Sequence, residues 1–574
     1  MFPPFFAWRG KAALVFVLLV LAALGCGAIL AAKWWWTSDD AFISFRYARN
    51  LAEGMGLVFN RGERVEGYTN FLWTLWVAAG LDAGFGAEAW ANSWGVVFYL
   101  ASILLLAANQ LGLGRRLEAR GWILPLAALG AGLHQDWAAF ATGGLETSLF
   151  AFLLLCGFML TAWSPGRPAG IVAAGFVFGL ASLTRPDGLI PAFAVGLFLI
   201  ADHRGRMKPA SLFAASFMLL WVPFIAWRLS YYGDIVPNSY YAKSGGLAWY
   251  GQGLRYLQLY LERYWALLLG PMMLIAASVL DRRGRRPEPD GAATALNRQA
   301  ALAAAIAVPY ILYVVRVGGD FMFARLLIPV TPMLLVILEV GWNRLFVRRR
   351  AAGWSVAALV LAALLLTPAP VDGIDWRYGI ANEPMYYSGE VLGYIDRASV
   401  VLGRFFEGLP VHVVFYGEEA RLAYKARFAV AIEGETALTE PMVARQPLTA
   451  RGRVGHEKPP SARYLIVDRK ADFTFSRNPQ QNIELFRHIP DVRVRFDDEV
   501  YGQLLRWNPE ILDALYRRGA IIQDFPGFLD AYISRIDSTP PRVLAEDYAR
   551  FKLFYFDQVA DPRRETAFVE RLPR

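Results

Sequence analysis

The chain has 574 residues, of which 56% are hydrophobic and 19% are charged, and its formal net charge is +9. Soluble globular proteins usually carry about a quarter charged residues, so this composition excludes an ordinary soluble protein and indicates a polytopic α-helical membrane protein. The two cysteines lie inside apolar runs, which argues against a disulfide framework and excludes a cysteine-based metal site.

Membrane-length apolar runs recur along the first two thirds of the chain. The first, residues 11–32, is too long for the hydrophobic region of a signal peptide, and three tryptophans at 34–36 follow it as an interfacial anchor. The short run 71–81 is interpreted as an interfacial or re-entrant helix. Because a span needs about 20 apolar residues, the sequence predicts eleven transmembrane helices: 11–32, 90–112, 121–137, 146–163, 168–183, 188–201, 210–228, 259–280, 298–316, 326–343 and 352–367.

The basic residues predict the orientation of these spans. A cytoplasmic N-terminus puts every short Lys/Arg-rich loop on the cytoplasmic side, which explains the positive charge better than binding to nucleic acid does. An odd number of spans then places the C-terminal part outside. We therefore expect a transmembrane catalytic module at 1–367, with its first outer loop at 33–89, and a periplasmic soluble α/β domain at 368–574. In that domain "VHVVF" and "RYLIVD" alternate like strands, and "ELFRHI" has a helical pattern.

Two adjacent carboxylates follow the first span. Asp39 and Asp40 open a segment whose apolar positions recur at helical spacing, and Gly54 and Gly56 end it. One aspartate can cap this helix while the other is a surface charge. Alternatively, a carboxylate pair at the lip of a membrane cavity suits the removal of a proton from a sugar hydroxyl.

Basic residues in the outer loops need an explanation, because such residues are usually depleted on that side of the membrane. Each can pair with a nearby acid such as Asp187, Asp234 or Asp320, or it can hold the phosphate oxygens of an anionic ligand at headgroup depth. The residues concerned are Arg46, Arg185, Lys243, Arg316 and Arg325.

Three outer motifs carry further candidate residues. In "GGDFMFAR" two glycines permit a close backbone approach, and Asp320 and Arg325 flank an aromatic pocket. In "PNSYYAK" Asn238 can bind hydroxyl groups and Tyr241 can stack on a sugar ring, unless the segment is a plain loop. In "GGLET" Glu146 begins a span, either as a partner of the helix dipole or as a ligand contact.

The segment "SDDAFISFRYARNLAEGMGLVFNRGERVEGYTNFLW" and the motifs "GGLETSLF", "LTRPDG", "YYGDIVPNSYYAK", "VGGDFMFARLL" and "RVGHEK" occur in this order. Together they resemble bacterial membrane arabinofuranosyltransferases, specifically the mycobacterial terminal β-(1→2)-arabinofuranosyltransferase family. The resemblance covers nearly the whole chain. It implies a GT-C fold, catalytic carboxylates at Asp39 and Asp40, and a donor site lined by the loops of Lys243, Asp320 and Arg325. It also implies a polyprenyl-phosphate sugar donor.

These observations predict an inverting glycosyltransferase of the bacterial inner membrane, which moves a sugar, arabinofuranose by the resemblance, onto a cell-surface glycan at the periplasmic face. No metal is required, although a divalent cation on the aspartate pair is an alternative. The partners are the lipid-linked donor, the glycan acceptor and membrane lipids. His456 and Lys458 of "GHEK" are assigned to the acceptor or to a domain contact, and this motif lacks the second histidine of a HExxH zinc site. The donor site is assigned to Arg46, Glu146, Arg185, Asn238, Tyr241, Lys243, Asp320 and Arg325.

Other functions compete with this prediction. A mannosyltransferase or aminoarabinose transferase would use the same kind of donor. A lipid-linked sugar flippase would carry ionisable residues near the middle of its spans, whereas here they cluster at one edge. A structural assembly protein would explain the C-terminal part but not the polar loops that share one face.

Overall fold

The computed structural model describes residues 11–116, 124–164, 166–283, 290–367, 375, 378–475 and 483–572. The chain forms two compact units. The first comprises residues 1–41, 69–235 and 245–386, and the second comprises residues 42–68, 236–244 and 387–574. The second unit thus includes two segments that precede the predicted boundary at 367.

Long helices dominate the chain up to residue 386. In order they are α1 Lys11–Lys33, α2 Asp39–Ala52, α3 Phe71–Asp82, α4 Ala87–Arg116, α5 Leu126–Gly132, α6 Gln135–Ala141, α7 Thr147–Trp163, α8 Pro168–Thr184, α9 Leu189–Asp202, α10 Met207–Tyr232, α11 Asn238–Ala242, α12 Tyr250–Arg263, α13 Leu269–Arg283, α14 Asp290–Val317, α15 Thr331–Arg348 and α16 Arg350–Leu365. Helix α15 is almost wholly buried and packs against α13, α14 and α16, so it forms the centre of the first unit.

Within the described residues, five helices are long and apolar enough to cross a membrane: Lys11–Lys33, Ala87–Gly114, Met207–Tyr232, Thr294–Val317 and Ile328–Arg348. The pair Tyr250–Arg263 and Trp265–Asp281 would add a sixth span, although its two helices bend by 93°. Several further apolar helices, α3, α7, α8 and α16, are shorter. A multi-pass membrane protein is confirmed, and the number of eleven spans stays a prediction.

Two of the predicted spans are interrupted. In the described part of 121–137 the chain forms α5 and α6, because His134 starts a new helix: its Nδ1 accepts a hydrogen bond from the Trp137 backbone N–H at 3.1 Å. Residues 121–123 lie outside the described residues. The span predicted at 259–280 is broken at Tyr264, where α12 ends. The run predicted as an interfacial helix forms α3, which packs against α4 and α8.

The second unit contains a six-stranded mixed sheet in the order β2-β1-β3-β5-β4-β6. Strand β1 runs parallel to β2 and β3, and the remaining pairs are antiparallel. The strands are β1 His412–Phe415, β2 Val430–Glu433, β3 Phe473–Thr474, β4 Arg493–Arg495, β5 Tyr501–Leu504 and β6 Ile521–Ile522. Its helices after residue 386 are α17 Gly389–Phe406, α18 Ala420–Lys425, α19 Pro441–Ala444, α20 Ile483–His488, α21 Pro509–Arg517, α22 Phe525–Ile533, α23 Pro541–Phe551 and α24 Pro562–Val569.

The local predictions for this unit have different outcomes. "VHVVF" contains β1 and "ELFRHI" overlaps α20, so both predictions are confirmed. "RYLIVD" was predicted as a strand and is instead a π-helical turn, Tyr464–Asp468. The reason lies in its backbone hydrogen bonds: the Leu465 N–H donates to Ser461 O at 3.0 Å and the Arg469 N–H donates to Tyr464 O at 2.9 Å, so these groups pair locally and not with a neighbouring strand.

Candidate active site

The loop between α14 and α15 approaches α12 closely. Gly318 and Gly319 have φ angles of +93° and +73°, and a Cβ atom on Gly319 would lie 2.4 Å from Cγ of Tyr256. Tyr256 holds the loop at two points, since its hydroxyl donates to Met322 O at 3.0 Å and accepts from the Leu326 backbone N–H at 3.2 Å. The predicted close backbone approach is therefore present, and it fixes the segment that carries Asp320 and Arg325.

Arg325 lies among three carboxylates of the first unit. Its Nη1 is 3.4 Å from Asp40 Oδ2 and 3.4 Å from Asp320 Oδ2, and its Nη2 is 3.9 Å from Glu146 Oε1. All three distances are long for charge-assisted hydrogen bonds, which are usually about 2.7–2.9 Å. The Nε atom of Arg325 is buried and has no hydrogen-bond partner within the described residues.

Arg185 is held much more tightly than Arg325. Its Nε donates to Asp187 Oδ1 at 3.0 Å, its Nη2 lies 3.0 Å from Asp187 Oδ2, and its Nη1 donates to Glu146 Oε1 at 2.7 Å. The Tyr310 hydroxyl donates to the same Asp187 Oδ2 at 3.0 Å. Arg185 therefore already has its guanidinium directed at two carboxylates.

Glu146 connects the two arginines. It is the N-cap residue of α7 and only 1% of its side chain is exposed. Its second oxygen, Oε2, accepts a hydrogen bond from Asn70 Nδ2 at 2.8 Å. Burial alone would raise the pKa of Glu146, but the charges of Arg185 and Arg325, with the Asn70 hydrogen bond, hold it below its usual value. Glu146 is therefore an ionised bridge between the arginines.

Arg325 stays charged for the reciprocal reason. Burial alone would lower the pKa of its guanidinium, whereas the carboxylates of Asp320, Glu146 and Asp40 raise it above the usual value. A buried cation with loosely held carboxylate neighbours is a group that can take up an incoming anion.

The aspartate pair begins α2, as the sequence predicted. The Ser38 backbone N–H donates to Gly143 O at 3.0 Å, which ties the start of this helix to the "GGLET" loop. The two aspartates differ in exposure: residue Asp39 is 7% exposed, whereas 35% of the Asp40 side chain is exposed. Asp40 therefore combines contact with Arg325 and access to solvent.

Other predicted site residues lie in the second unit. Lys458 Nζ donates to the carbonyl oxygens of Tyr241 at 2.8 Å and Ala444 at 2.7 Å. Asn238 Nδ2 donates to the carbonyl oxygens of Ala437 at 3.0 Å and Leu438 at 2.8 Å. These contacts join the "PNSYYAK" segment to the segments around 437–444 and 458.

Two further predicted residues lie in the same part of the second unit. Lys243 is exposed, and a Cβ atom on Gly455 would lie 3.5 Å from its Cε atom. His456 is partly exposed, and its Nδ1 lies 3.1 Å from Val454 O. The structure thus brings Asn238, Tyr241 and Lys243 together with the "GHEK" motif.

Arg46 has a different environment from the other predicted arginines. Its guanidinium is buried and donates to three backbone carbonyl oxygens, those of Phe59 at 2.8 Å, Ala423 at 3.1 Å and Phe428 at 2.7 Å. It also donates to Asn60 Oδ1 at 3.1 Å. This set of acceptors indicates that Arg46 joins parts of the second unit, and the assignment of Arg46 to a donor phosphate stays a prediction without a contact that favours it.

The sequence did not single out Asn70 or Tyr310, although both contact the charged groups of the first unit. Asn70 precedes the first residue of α3, where an asparagine is an ordinary helix cap. Tyr310 is one aromatic residue within an apolar run, so its type did not distinguish it from its neighbours. Across the described ranges, no group of three or more His, Cys, Asp or Glu side chains is arranged to hold a metal ion.

Solved structures with a similar fold are membrane glycosyltransferases. ArnT from Cupriavidus metallidurans in the apo state matches with a TM-score of 0.54 and 14% identity over 86% of this chain and 98% of that chain. The same protein bound to undecaprenyl phosphate matches with a TM-score of 0.50 and 15% identity over 75% of this chain and 87% of that chain. The fold is therefore of the GT-C glycosyltransferase class.

Two curated relatives make the comparison more specific. The terminal β-(1→2)-arabinofuranosyltransferase of Mycobacterium tuberculosis is 27% identical over 523 residues, which cover 75% of this chain and 82% of the relative. The enzyme of the same name from Corynebacterium glutamicum is 31% identical over 391 residues, and the match spans 62% of this chain but only 56% of that relative. No protein-family model matches the chain. The resemblance predicted from the motifs is confirmed, and the chain is a glycosyltransferase.

Proposed function

We propose that the chain transfers arabinofuranose from a polyprenyl-phosphate donor to a cell-surface glycan at the periplasmic face of the inner membrane. The names of the two curated relatives support arabinofuranose as the sugar that is transferred. The likeness in fold to a protein that was solved with undecaprenyl phosphate is consistent with a lipid-phosphate donor.

Asp40 is the proposed general base. Its side chain is 35% exposed, so an acceptor hydroxyl can reach it. The hydroxyl oxygen attacks the anomeric carbon, the bond from that carbon to the phosphate oxygen breaks, and the proton passes to Asp40. The polyprenyl phosphate leaves with the electron pair. A single displacement of this kind inverts the anomeric carbon, whereas retention would require a covalent intermediate on a carboxylate.

Arg325 is the proposed contact for the donor phosphate. Its three carboxylate neighbours lie 3.4–3.9 Å away, so phosphate oxygens can replace them at shorter distances. Arg185 has a positioning role instead. Its contacts of 2.7 Å to Glu146 and 3.0 Å to Asp187 are already short, so replacing them with phosphate contacts would give no gain in free energy. Glu146 then orients both arginines.

The assignment of Tyr241 and Lys243 to sugar binding, and of His456 and Lys458 to the acceptor or a domain contact, stays a prediction from the sequence. For Lys458 the hydrogen bonds to the carbonyl oxygens of Tyr241 and Ala444 support a contact within the second unit, where they hold the "PNSYYAK" segment in place.

The contact between Arg325 and the partly exposed Asp40 carries the proposal, and it can be tested with single substitutions. Asp40→Asn keeps the size of the side chain and removes the base, so kcat is expected to fall by about 10²–10⁴. Asp39→Asn should reduce kcat less. Asp82→Asn, an exposed aspartate at the end of α3, is the matched control and should leave kcat unchanged.

Sugar transfer is measured with purified protein and polyprenyl-phosphate arabinofuranose, and with the mannose and 4-aminoarabinose analogues as competing donors. A well-folded Asp40→Asn variant with wild-type kcat would rule out Asp40 as the base. Faster transfer of mannose or aminoarabinose would assign the chain to one of the rival transferases. The anomeric configuration of the product, determined by NMR, is expected to be inverted relative to the donor.

A further inference from the structure

The second unit contains a cleft beside its sheet that no part of the proposed reaction uses. A cavity of about 360 Å³ lies between the chain around 490–492 and 523–525 and the helices α22 and α23. Its lining combines the aromatic rings of Phe528 and Tyr532 with the charged groups of Asp547 and Arg550. Binding sites for organic ligands commonly have this combination of aromatic surface and a few polar groups.

An aromatic ring stands exposed at this cavity. Phe528 is 42% exposed, which is high for a phenylalanine, and yet its ring is held in place by neighbours. It stacks on Phe525 with centroids 5.6 Å apart at 21°, and it meets Phe551 edge-on at 5.9 Å. A fixed exposed ring offers a flat apolar face to a ligand at little entropic cost.

Polar groups lie next to that ring. The Tyr532 hydroxyl donates to Asp547 Oδ2 at 2.9 Å, and Arg550 Nη1 is 3.4 Å from Asp547 Oδ1. Arg550 Nη2 donates to Ile489 O at 2.9 Å, while its Nε is buried and has no hydrogen-bond partner in the described part of the chain. The cavity is therefore lined by a carboxylate and a guanidinium group beside an apolar face.

A second cavity of about 290 Å³ adjoins the first, and Gln523 lines both. It lies along β5, β4 and the edge strand β6, and its lining includes Arg493, Arg495 and Tyr501, of which Tyr501 is 46% exposed. Two adjoining cavities, each with an exposed aromatic ring, suit an extended ligand better than a single small molecule.

The charges of the cleft favour a neutral ligand. The acidic residues lining the two cavities, Asp491, Asp524 and Asp547, nearly balance four arginines, and Asp491 is already paired with Arg493 at 3.1 Å. A polyanion would need an excess of cationic groups. A chain of neutral sugars has apolar C–H faces that pack on aromatic rings and hydroxyl groups that bond carboxylate, amide and guanidinium groups.

We propose that this cleft binds a neutral oligosaccharide, namely a stretch of the acceptor glycan away from the hydroxyl that reacts. The inference rests on the proposed function for the identity of the glycan. Binding at the cleft would retain a long acceptor on the enzyme and would have no effect on an acceptor too short to occupy it.

The test measures binding without any donor. The full-length protein in lipid nanodiscs is mixed with a neutral arabinofuranose hexasaccharide or disaccharide, and binding is followed by saturation-transfer NMR and calorimetry. Phe528→Ala and Asp547→Asn are expected to weaken binding of the hexasaccharide about tenfold, which corresponds to about 1.4 kcal/mol. Phe528→Leu keeps the apolar packing against Phe525 and Phe551 and should weaken binding as well, because it lacks the ring.

Tyr516→Ala is the matched control, since Tyr516 is 69% exposed on α21 and lines neither cavity. Equal binding of the hexasaccharide by the wild type, Phe528→Leu and Asp547→Asn would overturn the proposal, as would binding only of an anionic polysaccharide in a salt-dependent way. A protein that binds the oligosaccharide but transfers no arabinofuranose would contradict the proposed function alone.

Discussion

Arg325→Met is the substitution that tests the proposed centre most directly. It removes the guanidinium that contacts Asp40, Asp320 and Glu146 and leaves an unbranched side chain of similar length in the same loop. The three carboxylates then lose their shared cation. Both the binding of the donor phosphate and the charge state of the site are expected to change.

The size of the effect follows from the role proposed for Arg325. A preorganised donor that stabilises developing charge in a transition state is worth about 10²–10³ in kcat, or about 2.7–4 kcal/mol. The kcat of Arg325→Met should therefore fall by about 10²–10³. Arg325→Lys keeps the positive charge but cannot contact three carboxylates at once, so we expect its kcat to fall about tenfold.

The same substitution should shift the pH profile. Arg325 is one of the charges that hold the pKa of Glu146 below its usual value, so its removal raises that pKa. Glu146 then takes up a proton at a higher pH. The acidic limb of the profile of kcat against pH is expected to move upward in Arg325→Met and to stay in place in Arg325→Lys.

The assay is single-turnover sugar transfer from the polyprenyl-phosphate donor between about pH 5 and 9, with the melting temperature measured alongside. Arg316→Met is the matched control: Arg316 lies in the last turn of α14, and its Nη2 donates to Gly246 O at 3.3 Å. A folded Arg325→Met variant whose kcat stays within about threefold of the wild type would refute the role of Arg325 in stabilising the transition state.

Two further substitutions test the structure itself. Gly319→Ala should lower the melting temperature and the yield of folded protein more than Gly408→Ala does. Both glycines have φ near +70°, but of the two only Gly319 has a close neighbour for an added Cβ atom, Tyr256 at 2.4 Å. Equal losses in the two variants would contradict the close approach. Burial raises the pKa of Glu433 to about 7, above its unfolded value of about 4.3, so the second unit should lose stability on the order of 3 kcal/mol as pH rises from about 4 to 8. Glu433→Gln should flatten this dependence of melting temperature on pH, and an unchanged slope would rule out Glu433 as its origin.

Hydropathy predicted helices well where one apolar run forms one helix. The run 11–32 corresponds to Lys11–Lys33, and 298–316 lies within Asp290–Val317. It failed where a polar cap or a sharp bend divides a run, as at His134, because window averages do not register a single side chain that bonds to the backbone. "RYLIVD" was predicted as a strand from its alternation and is itself a π-helical turn, because an alternating pattern over a few residues does not show where the backbone hydrogen bonds go.

The sequence could indicate which residue types form the candidate site and their partners nearby in the chain, but not their distant partners. "GGLET", "TRPDG" and "GGDFMFAR" each supplied a residue that the first unit brings together, namely Glu146, Arg185 and Arg325. Pairing with acids nearby in the sequence was one of two alternatives for the outer arginines, and the pairs Arg185–Asp187 and Arg325–Asp320 are present. The bridge through Glu146 could not be predicted, because Glu146 precedes Arg185 by 39 positions and Arg325 by 179 positions.

In the proposed mechanism the charge balance explains why the two arginines have different roles. Four carboxylates, those of Asp40, Glu146, Asp187 and Asp320, surround two guanidinium groups. Arg185 is held at short distances, so an incoming phosphate competes for Arg325 and displaces Asp40 from it. Displacement leaves the Asp40 carboxylate available for the acceptor's proton when the donor is in place. Donor binding and activation of the base are then one event, and the losses from variants at 40 and 325 should not add, because both remove parts of the same coupled unit.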